Sequence, residues 1–294
     1  MNGAKPVHLM PPPRATPLNL RLQLLFGGFM NQFGWLFFGF GMIFVWALGW
    51  NADLKAWTHF NGSLTTAEGV CLGSEETSAE INEEPVYAYY YRFEHEGQHY
   101  EYVSYTSDDT LTEGQAVTVE FQAQDPTVSR IRGMRSAQFP PWALLLVAVF
   151  PLVGLGFIIA GIRHGLQAIR LLSTGLLGYG RLMQQEATGM SVNEQPVYQL
   201  VFEFKAVDGR TYEARSQTHE PHELMDEEEE ALLYSPSNPF DAVLLDGLPG
   251  RPTMVSGGFR ARSPGSALSV LVLPGLALLV HGGTFLLLMG WAAL

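Results

Sequence analysis

The chain has 294 residues, of which 47% are hydrophobic and 16% are charged, and its formal net charge is −12 at pH 7. Two stretches carry this charge: residues 51–138 hold 15 Asp/Glu against 5 Lys/Arg, and residues 164–265 hold 14 against 8. Their acidity argues against nucleic acid as a partner, because phosphates need a basic stripe. The single cysteine, Cys71, excludes an intrachain disulfide and a cysteine-based metal cage.

Three long stretches without charged side chains predict membrane helices. Residues 22–52, 136–162 and 263–294 contain no Asp, Glu, Lys or Arg, and each exceeds the roughly 20 residues that cross a hydrocarbon core. We expect helices, because a lone segment in lipid must satisfy its own backbone hydrogen bonds. The first stretch is longer than the apolar region of a signal peptide, so it should remain as an anchor. The lipid bilayer is therefore a predicted partner.

The two acidic stretches share a repeated sequence. Residues 82–87 (NEEPVY) return as residues 193–198 (NEQPVY), 111 positions later. Alternate positions then carry large apolar side chains in both copies, which form a candidate interaction face: Tyr87, Tyr89, Tyr91, Phe93, Tyr198, Leu200, Phe202 and Phe204. Side chains at period two share one face of a β-strand. Gly97 and Gly209 supply the hairpin turns that follow. We therefore predict an internal duplication of a β domain.

Further strands are expected around each hairpin. Residues 116–121 and 231–234 predict strands that end at a turn containing proline, and residues 67–72 and 179–183 predict earlier ones. Each copy is then a unit of three to five strands, whose size is marginal because a domain of about 60 residues buries only about 60% of its unfolded surface. The aromatic face therefore needs a cover, for which the other copy, a second subunit and the membrane interface are alternatives.

A turn near the end of the second copy contributes to a resemblance to a known family. Residues 234–239 (YSPSNP) place a tyrosine before two prolines. With a preceding membrane helix, a strand that opens on Gly, and Pro-Val-Tyr followed by alternating aromatics, this pattern resembles the bacterial domain-of-unknown-function 3592 family. The resemblance covers both copies, although residues 121–126 (FQAQDP) replace the turn in the first. It implies a small β domain tethered to bacterial membranes, and it brings no reaction and no catalytic residues.

The predicted fold class is a membrane α + β protein with three transmembrane helices and two homologous small antiparallel β domains. Three crossings would put the β domains on opposite sides of the membrane, whereas direct packing between them would need one re-entrant stretch; we favour three crossings. The Lys/Arg bias at the helix ends favours a cytoplasmic N-terminus. The predicted segments are a disordered Pro-rich tail (1–21), helix one (22–52), the first β domain (53–138), helix two (139–163), the second β domain (164–262) and helix three (263–294).

One acidic loop concentrates histidines and carboxylates. His219 and His222 lie within residues 218–230, which end in four glutamates. The zinc-protease helix needs two histidines four residues apart, whereas these are three apart with Pro221 between them, which disfavours a helix. A solvated acidic loop is therefore the favoured interpretation, and a metal-dependent enzyme at this loop is an alternative. No other motif indicates catalysis or a cofactor, so neither is predicted.

Three polar residues inside the apolar stretches are candidate intramembrane polar sites: His281, Asn31 and Gln32. An ionisable residue within a membrane segment is a functional hypothesis by default, so His281 is a candidate for a proton or ligand role. The alternative for all three is hydrogen bonding across a helix contact. Glycine-rich helices and His281 together make a transport or channel accessory subunit a second functional alternative.

The leading functional hypothesis is a non-enzymatic, multi-pass protein of the bacterial inner membrane. Its duplicated β domains would bind a protein partner or assemble a homo-oligomer, in a sensory, assembly or protective scaffold role. The reason is the repetition of an aromatic-faced module without any shared polar constellation, since catalysis normally leaves convergent titratable residues.

Overall fold

The computed structural model describes residues 9–108, 111–192, 194–218, 220–225 and 227–291. Three stretches are helices long and apolar enough to cross a membrane, namely Phe29–Gly49, Pro141–Thr174 and Pro264–Leu288. The chain divides into two compact units, one of residues Gly39–Leu152 (the first unit) and one of residues Met1–Phe38 with Val153–Leu294 (the second unit). The helices are α1 (Leu18–Phe26), α2 (Phe29–Gly49), α3 (Lys55–Thr58), α4 (Pro141–Thr174) and α5 (Val272–Trp291).

The first unit contains a five-stranded antiparallel sheet with strand order β3-β2-β1-β4-β5. The sheet curls until its two edges meet. Tyr105 and Arg135 exchange backbone hydrogen bonds of 2.8 and 2.9 Å, and the Ser104 hydroxyl accepts a 2.8 Å bond from the Ile131 amide. The result is a small barrel-like domain with its core inside. Its strands are β1 (Thr65–Ile81), β2 (Glu84–His95), β3 (Gln98–Thr106), β4 (Ala116–Gln122) and β5 (Asp125–Ile131).

The second unit contains a sheet of the same design, with order β10-β9-β6-β7-β8. Equivalent positions 111 apart play the same part in both sheets: the Thr77 hydroxyl donates to the Val86 carbonyl at 2.8 Å, and the Thr188 hydroxyl donates to the Val197 carbonyl at 2.9 Å. The predicted antiparallel sheets are confirmed. The strands are β6 (Leu176–Val192), β7 (Gln195–Lys205), β8 (Thr211–Thr218), β9 (Glu230–Ser235) and β10 (Asn238–Leu244), and a separate hairpin is formed by β11 (Pro252–Val255) and β12 (Gly258–Ala261).

The second sheet is buried on both faces along β9. Leu232 and Tyr234 point into the barrel core, whereas Ala231 and Leu233 pack under α1, the end of α4 and the β11–β12 hairpin. The sequence of strand β9 is therefore a nearly continuous apolar run, which is typical of strands that are covered on both faces. In contrast, β4 of the first sheet alternates between buried and exposed positions.

The N-terminal segment differs from the predicted disordered tail of residues 1–21. Helix α1 begins at Leu18, and Arg14 is only 6% exposed. The Arg14 guanidinium donates to the carbonyls of Leu172 and Gly175 at 3.3 and 2.9 Å. These carbonyls lie at the C-terminus of α4, where backbone acceptors lack helical partners and a positive charge is favourable. Residues 1–8 lie outside the described part of the chain.

The helices also differ from the predicted bounds. Residues 22–52 divide into α1 and α2 at Gly28, which has a φ of 75° and where an added Cβ would lie 3.0 Å from Pro249 Cγ. Helix α4 continues past the expected end at residue 163, because its last turns bury Ala168 and Leu172 in the core of the second unit. The stretch 263–294 opens with short 3-10 turns before α5 begins.

Candidate protein-binding groove

The aromatic row that was expected to form an interaction face lies mostly inside the two domains. Six of its eight side chains are at most 2% exposed, and Tyr87 and Tyr198 are partly buried. The strands that follow each hairpin curl over the row, so the domain itself provides the cover that we expected from outside. The six enclosed side chains are therefore core, and this is a correction: Tyr89, Tyr91, Phe93, Leu200, Phe202 and Phe204.

The core of the first domain contains a polar contact that the second domain lacks. In the first domain the Tyr91 hydroxyl lies 2.7 Å from the Ser129 hydroxyl, and burial raises the pKa of Tyr91 to about 12. The aligned positions in the second domain are Phe202 and Ala242, which cannot form this bond. The contact is therefore not a shared functional feature of the two domains.

The acidic loop holds no metal cluster within the described residues. His222 is exposed in the 3-10 turn Pro221–Leu224, and His219 lies outside the residues that the structure describes. The described residues of the loop therefore do not add support to the metal-site alternative.

The intramembrane polar candidates lie at helix contacts of the second unit. The Asn31 amide is buried and donates to the Ile158 carbonyl of α4 at 3.5 Å. The Gln32 amide donates to the Val270 carbonyl at 2.8 Å, which joins the start of α2 to the turns before α5. His281 is 8% exposed, and its ring meets a phenylalanine ring of α2 edge-on at 6.4 Å. These contacts are of the helix-to-helix kind.

A different surface has the shape of a binding site. An open groove of about 660 Å³ lies on the outside of the second sheet, across β6, β7, β8 and β10. Its apolar part includes Met183 and Phe240, which are 62% and 74% exposed. The ring of Tyr212 meets the Phe240 ring edge-on at 5.1 Å. The Tyr212 hydroxyl donates to Asp208 at 2.8 Å, a bond that raises the pKa of Tyr212.

Two carboxylates face each other across the floor of this groove. Glu203 of β7 is the direct cross-strand partner of Glu213 of β8. Glu213 pairs with Arg215 at 3.1 Å, whereas no cation lies within 4.0 Å of the Glu203 carboxylate among the described residues, although Arg181 is its neighbour on β6. Like charges directly opposite on neighbouring strands are destabilising. Glu203 therefore lies between a like charge on β8 and an arginine on β6.

The first domain has a balanced pair at the same place. Arg92 and Glu101 are cross-strand partners in its sheet and form an ion pair. Arg92 aligns with Glu203 at the repeat spacing, and Glu101 aligns with Glu213. Alignment of the two copies thus carries a signal for this site. The signal is a difference in charge, so it cannot be found by looking for residues that the copies share.

The described lining of the groove combines exposed rings with carboxylates. Its exposed rings and carboxylates suit a cation that lies over an aromatic face, and its volume lies in the range of small binding sites.

A comparison with protein-family models finds no match to the chain, and a comparison with curated proteins finds none either.

Proposed function

We propose that this protein is a non-enzymatic, multi-pass protein of the bacterial inner membrane that binds a basic, extended segment of a protein partner in the groove of its second β domain. The role would be that of a sensory, assembly or protective scaffold. Three helices of suitable length and apolarity support membrane insertion. The family resemblance described above supports the bacterial membrane and a tethered β domain.

Internal duplication is part of the proposal. It is supported by the repeated sequence, the shared strand order and the equivalent threonine bonds in the two sheets. A duplicated domain starts with two equal surfaces, and a later binding function at one of them would appear as a local difference in charge.

The observation that carries the binding proposal is the Glu203–Glu213 carboxylate pair beside the exposed apolar side chains of the groove. A lysine or arginine of the partner would neutralise Glu203, and its aliphatic stem would pack on Met183 and Phe240. The second acidic stretch as a whole, with 14 Asp/Glu against 8 Lys/Arg, would also attract a basic segment.

Peptide binding tests the groove. The purified full-length protein in detergent micelles is titrated with a fluorescent peptide of alternating Lys and Phe, and with a matched peptide of alternating Glu and Phe, while anisotropy is measured. We expect binding of the basic peptide alone. Glu203→Arg should weaken it about tenfold, because one attraction is lost and one repulsion is added, each worth up to about 1 kcal/mol at an exposed site. Phe240→Ala should also weaken it.

The control is Glu101→Gln, which removes a carboxylate from the first domain at the position that aligns with Glu213. Its affinity for the basic peptide should equal that of the wild type. Equal affinities of wild type and Glu203→Arg would refute the groove as the binding site, and equal binding of both peptides would refute the charge argument.

Labelling of intact cells tests the three crossings. Cys71 is 1% exposed, so it is first replaced by Ala, and one new cysteine is placed at an exposed hairpin position of each domain, Gln98→Cys or Arg210→Cys. If α4 crosses the membrane once, a membrane-impermeant maleimide should label only one of the two sites from outside. Both sites label in permeabilised cells as a control. Equal labelling in intact cells would contradict a single crossing by α4.

A further inference from the structure

Exposed tryptophans gather where the first β domain joins its helices. Trp50 follows α2, Trp57 lies on α3 and Trp142 lies in the first turn of α4, and these side chains are 65%, 46% and 54% exposed. Trp46 precedes Trp50 by about one turn, so this junction holds four of the six tryptophans of the chain. Leu54, at the start of α3, is also exposed. Exposure of this much indole surface to water is energetically unfavourable.

The junction is held in a fixed frame. Asp53 is 1% exposed, and its carboxylate accepts hydrogen bonds from the Ser136 hydroxyl at 2.6 Å and the Ser136 amide at 3.1 Å. The same carboxylate accepts a bond from the Ala56 amide at 3.2 Å and so caps α3. The Asp53 amide donates to the Phe139 carbonyl at 2.8 Å. The segment after α2 is thereby tied to the segment before α4, and Trp57 keeps a defined position beside both.

The charge of the junction also differs from that of the domain above it. Residues 51–138 carry 15 Asp/Glu against 5 Lys/Arg, but the exposed charge on α3 is Lys55, since Asp53 is buried. Indole rings and lysine side chains both favour the zone between hydrocarbon and water, where an apolar body and a polar group are accommodated together.

Given the membrane insertion proposed above, on which this step rests, we infer that α3 is an interfacial helix. Together with Trp50, Trp57 and Trp142 it lies among the lipid headgroups and holds the base of the first β domain against the bilayer surface. The partner is the zwitterionic or anionic lipid interface itself. The start of the loop between α2 and β1 is then a membrane-surface element. The end of the loop contacts the β domain, where the Phe60 ring lies 4.3 Å from the Arg130 guanidinium.

Spin-label depth measurements test this inference. The full-length protein without Cys71 is reconstituted in phosphatidylcholine–phosphatidylglycerol vesicles with a nitroxide at Leu54→Cys, which leaves all tryptophans in place and lies on the exposed side of α3. Accessibility to oxygen and to a water-soluble nickel complex gives its depth. The same label at Gln98→Cys marks the water-exposed hairpin. At Leu152→Cys, an exposed position of α4 about three turns beyond Trp142, it marks the hydrocarbon core.

We expect the Leu54 label to lie at a depth between the two markers. In a Trp57→Ser background it should shift toward the value of the Gln98 label, whereas in a Trp57→Phe background it should stay near its original depth. A Leu54 label as water-exposed as Gln98, with the Leu152 label in hydrocarbon, would overturn the interfacial helix and leave membrane insertion intact. Water exposure at Leu152 as well would overturn membrane insertion and this inference together.

Discussion

Close backbone packing between α2 and α4 gives the sharpest stability prediction. A Cβ added at Gly154 would lie 2.5 Å from the Phe38 amide nitrogen, 2.8 Å from its Cα and 2.9 Å from the Gly34 carbonyl oxygen. All three are backbone atoms, so no side chain can turn away and the helices must separate. Such overpacking costs about 1–3 kcal/mol. Gly154→Ala should therefore destabilise the second unit.

Gly156 on the same helix is the matched control. A Cβ added there would meet no atom within 4 Å, so Gly156→Ala should gain only the better helix propensity of alanine, about 1 kcal/mol. Both variants share that gain, and their difference in unfolding free energy isolates the contact at Gly154.

The assay is unfolding by sodium dodecyl sulfate in mixed micelles, followed by far-ultraviolet circular dichroism. We expect Gly154→Ala to unfold at a lower detergent fraction than the wild type, and Gly156→Ala at an equal or higher one. Identical midpoints for the two variants would refute the close approach of α2 and α4 at this position.

Three further predictions concern buried polar groups. Burial raises the pKa of Tyr91 from 10.0 to about 12, so its contribution to stability is complete below pH 10 and is lost as the pH rises toward 12. The wild type should therefore lose unfolding free energy between these pH values. Tyr91→Phe should lose roughly 2 kcal/mol less than the wild type at about pH 11.5, as measured by urea unfolding. Asp53→Ala should destabilise the first unit by about 3 kcal/mol or more, and Ser136→Ala by only about 1 kcal/mol, since the latter leaves two bonds to the carboxylate. Arg14→Gln should speed hydrogen exchange in residues 9–17, because the carbonyls at the end of α4 lose a charged donor; unchanged exchange would contradict that contact.

Local sequence signals were sufficient for the hairpins and the apolar helices. Glycine turns and period-two aromatic side chains define β2 with β3 and β7 with β8, because both signals act between near neighbours in the chain. The second half of β1 was not predicted: it reaches Ile81 and pairs there with β2 alone. Most of its residues are polar and exposed and only Ala79 is buried, so no hydrophobic period marks it.

The closure of each sheet on itself could not be predicted from local sequence signals. The row around Tyr89 and Phe202 has the same period whether it faces a partner or the inside of a curled sheet, so periodicity alone could not decide between them. That choice depends on edge contacts such as Tyr105 with Arg135, which join residues with no recognisable pairing signal. The apolar run in β9 did carry a signal for burial on both faces, and its contrast with the alternating β4 could have indicated the additional cover of the second sheet.

The difference between the two copies at the position of Glu203 allows a test of whether this residue serves binding. If Glu203 does not serve binding, replacing it with the arginine of the first domain would be neutral for binding. Glu203→Arg creates a pair like Arg92–Glu101, but it also sets the new arginine directly opposite Arg181 of β6. The two cross-strand effects on the unfolding free energy, each about 0.2–1 kcal/mol, should therefore largely cancel. The same change should weaken binding of a basic peptide. Weaker binding at unchanged stability would mark Glu203 as a residue that contacts the basic segment, whereas unchanged binding would show that the groove is not the binding site.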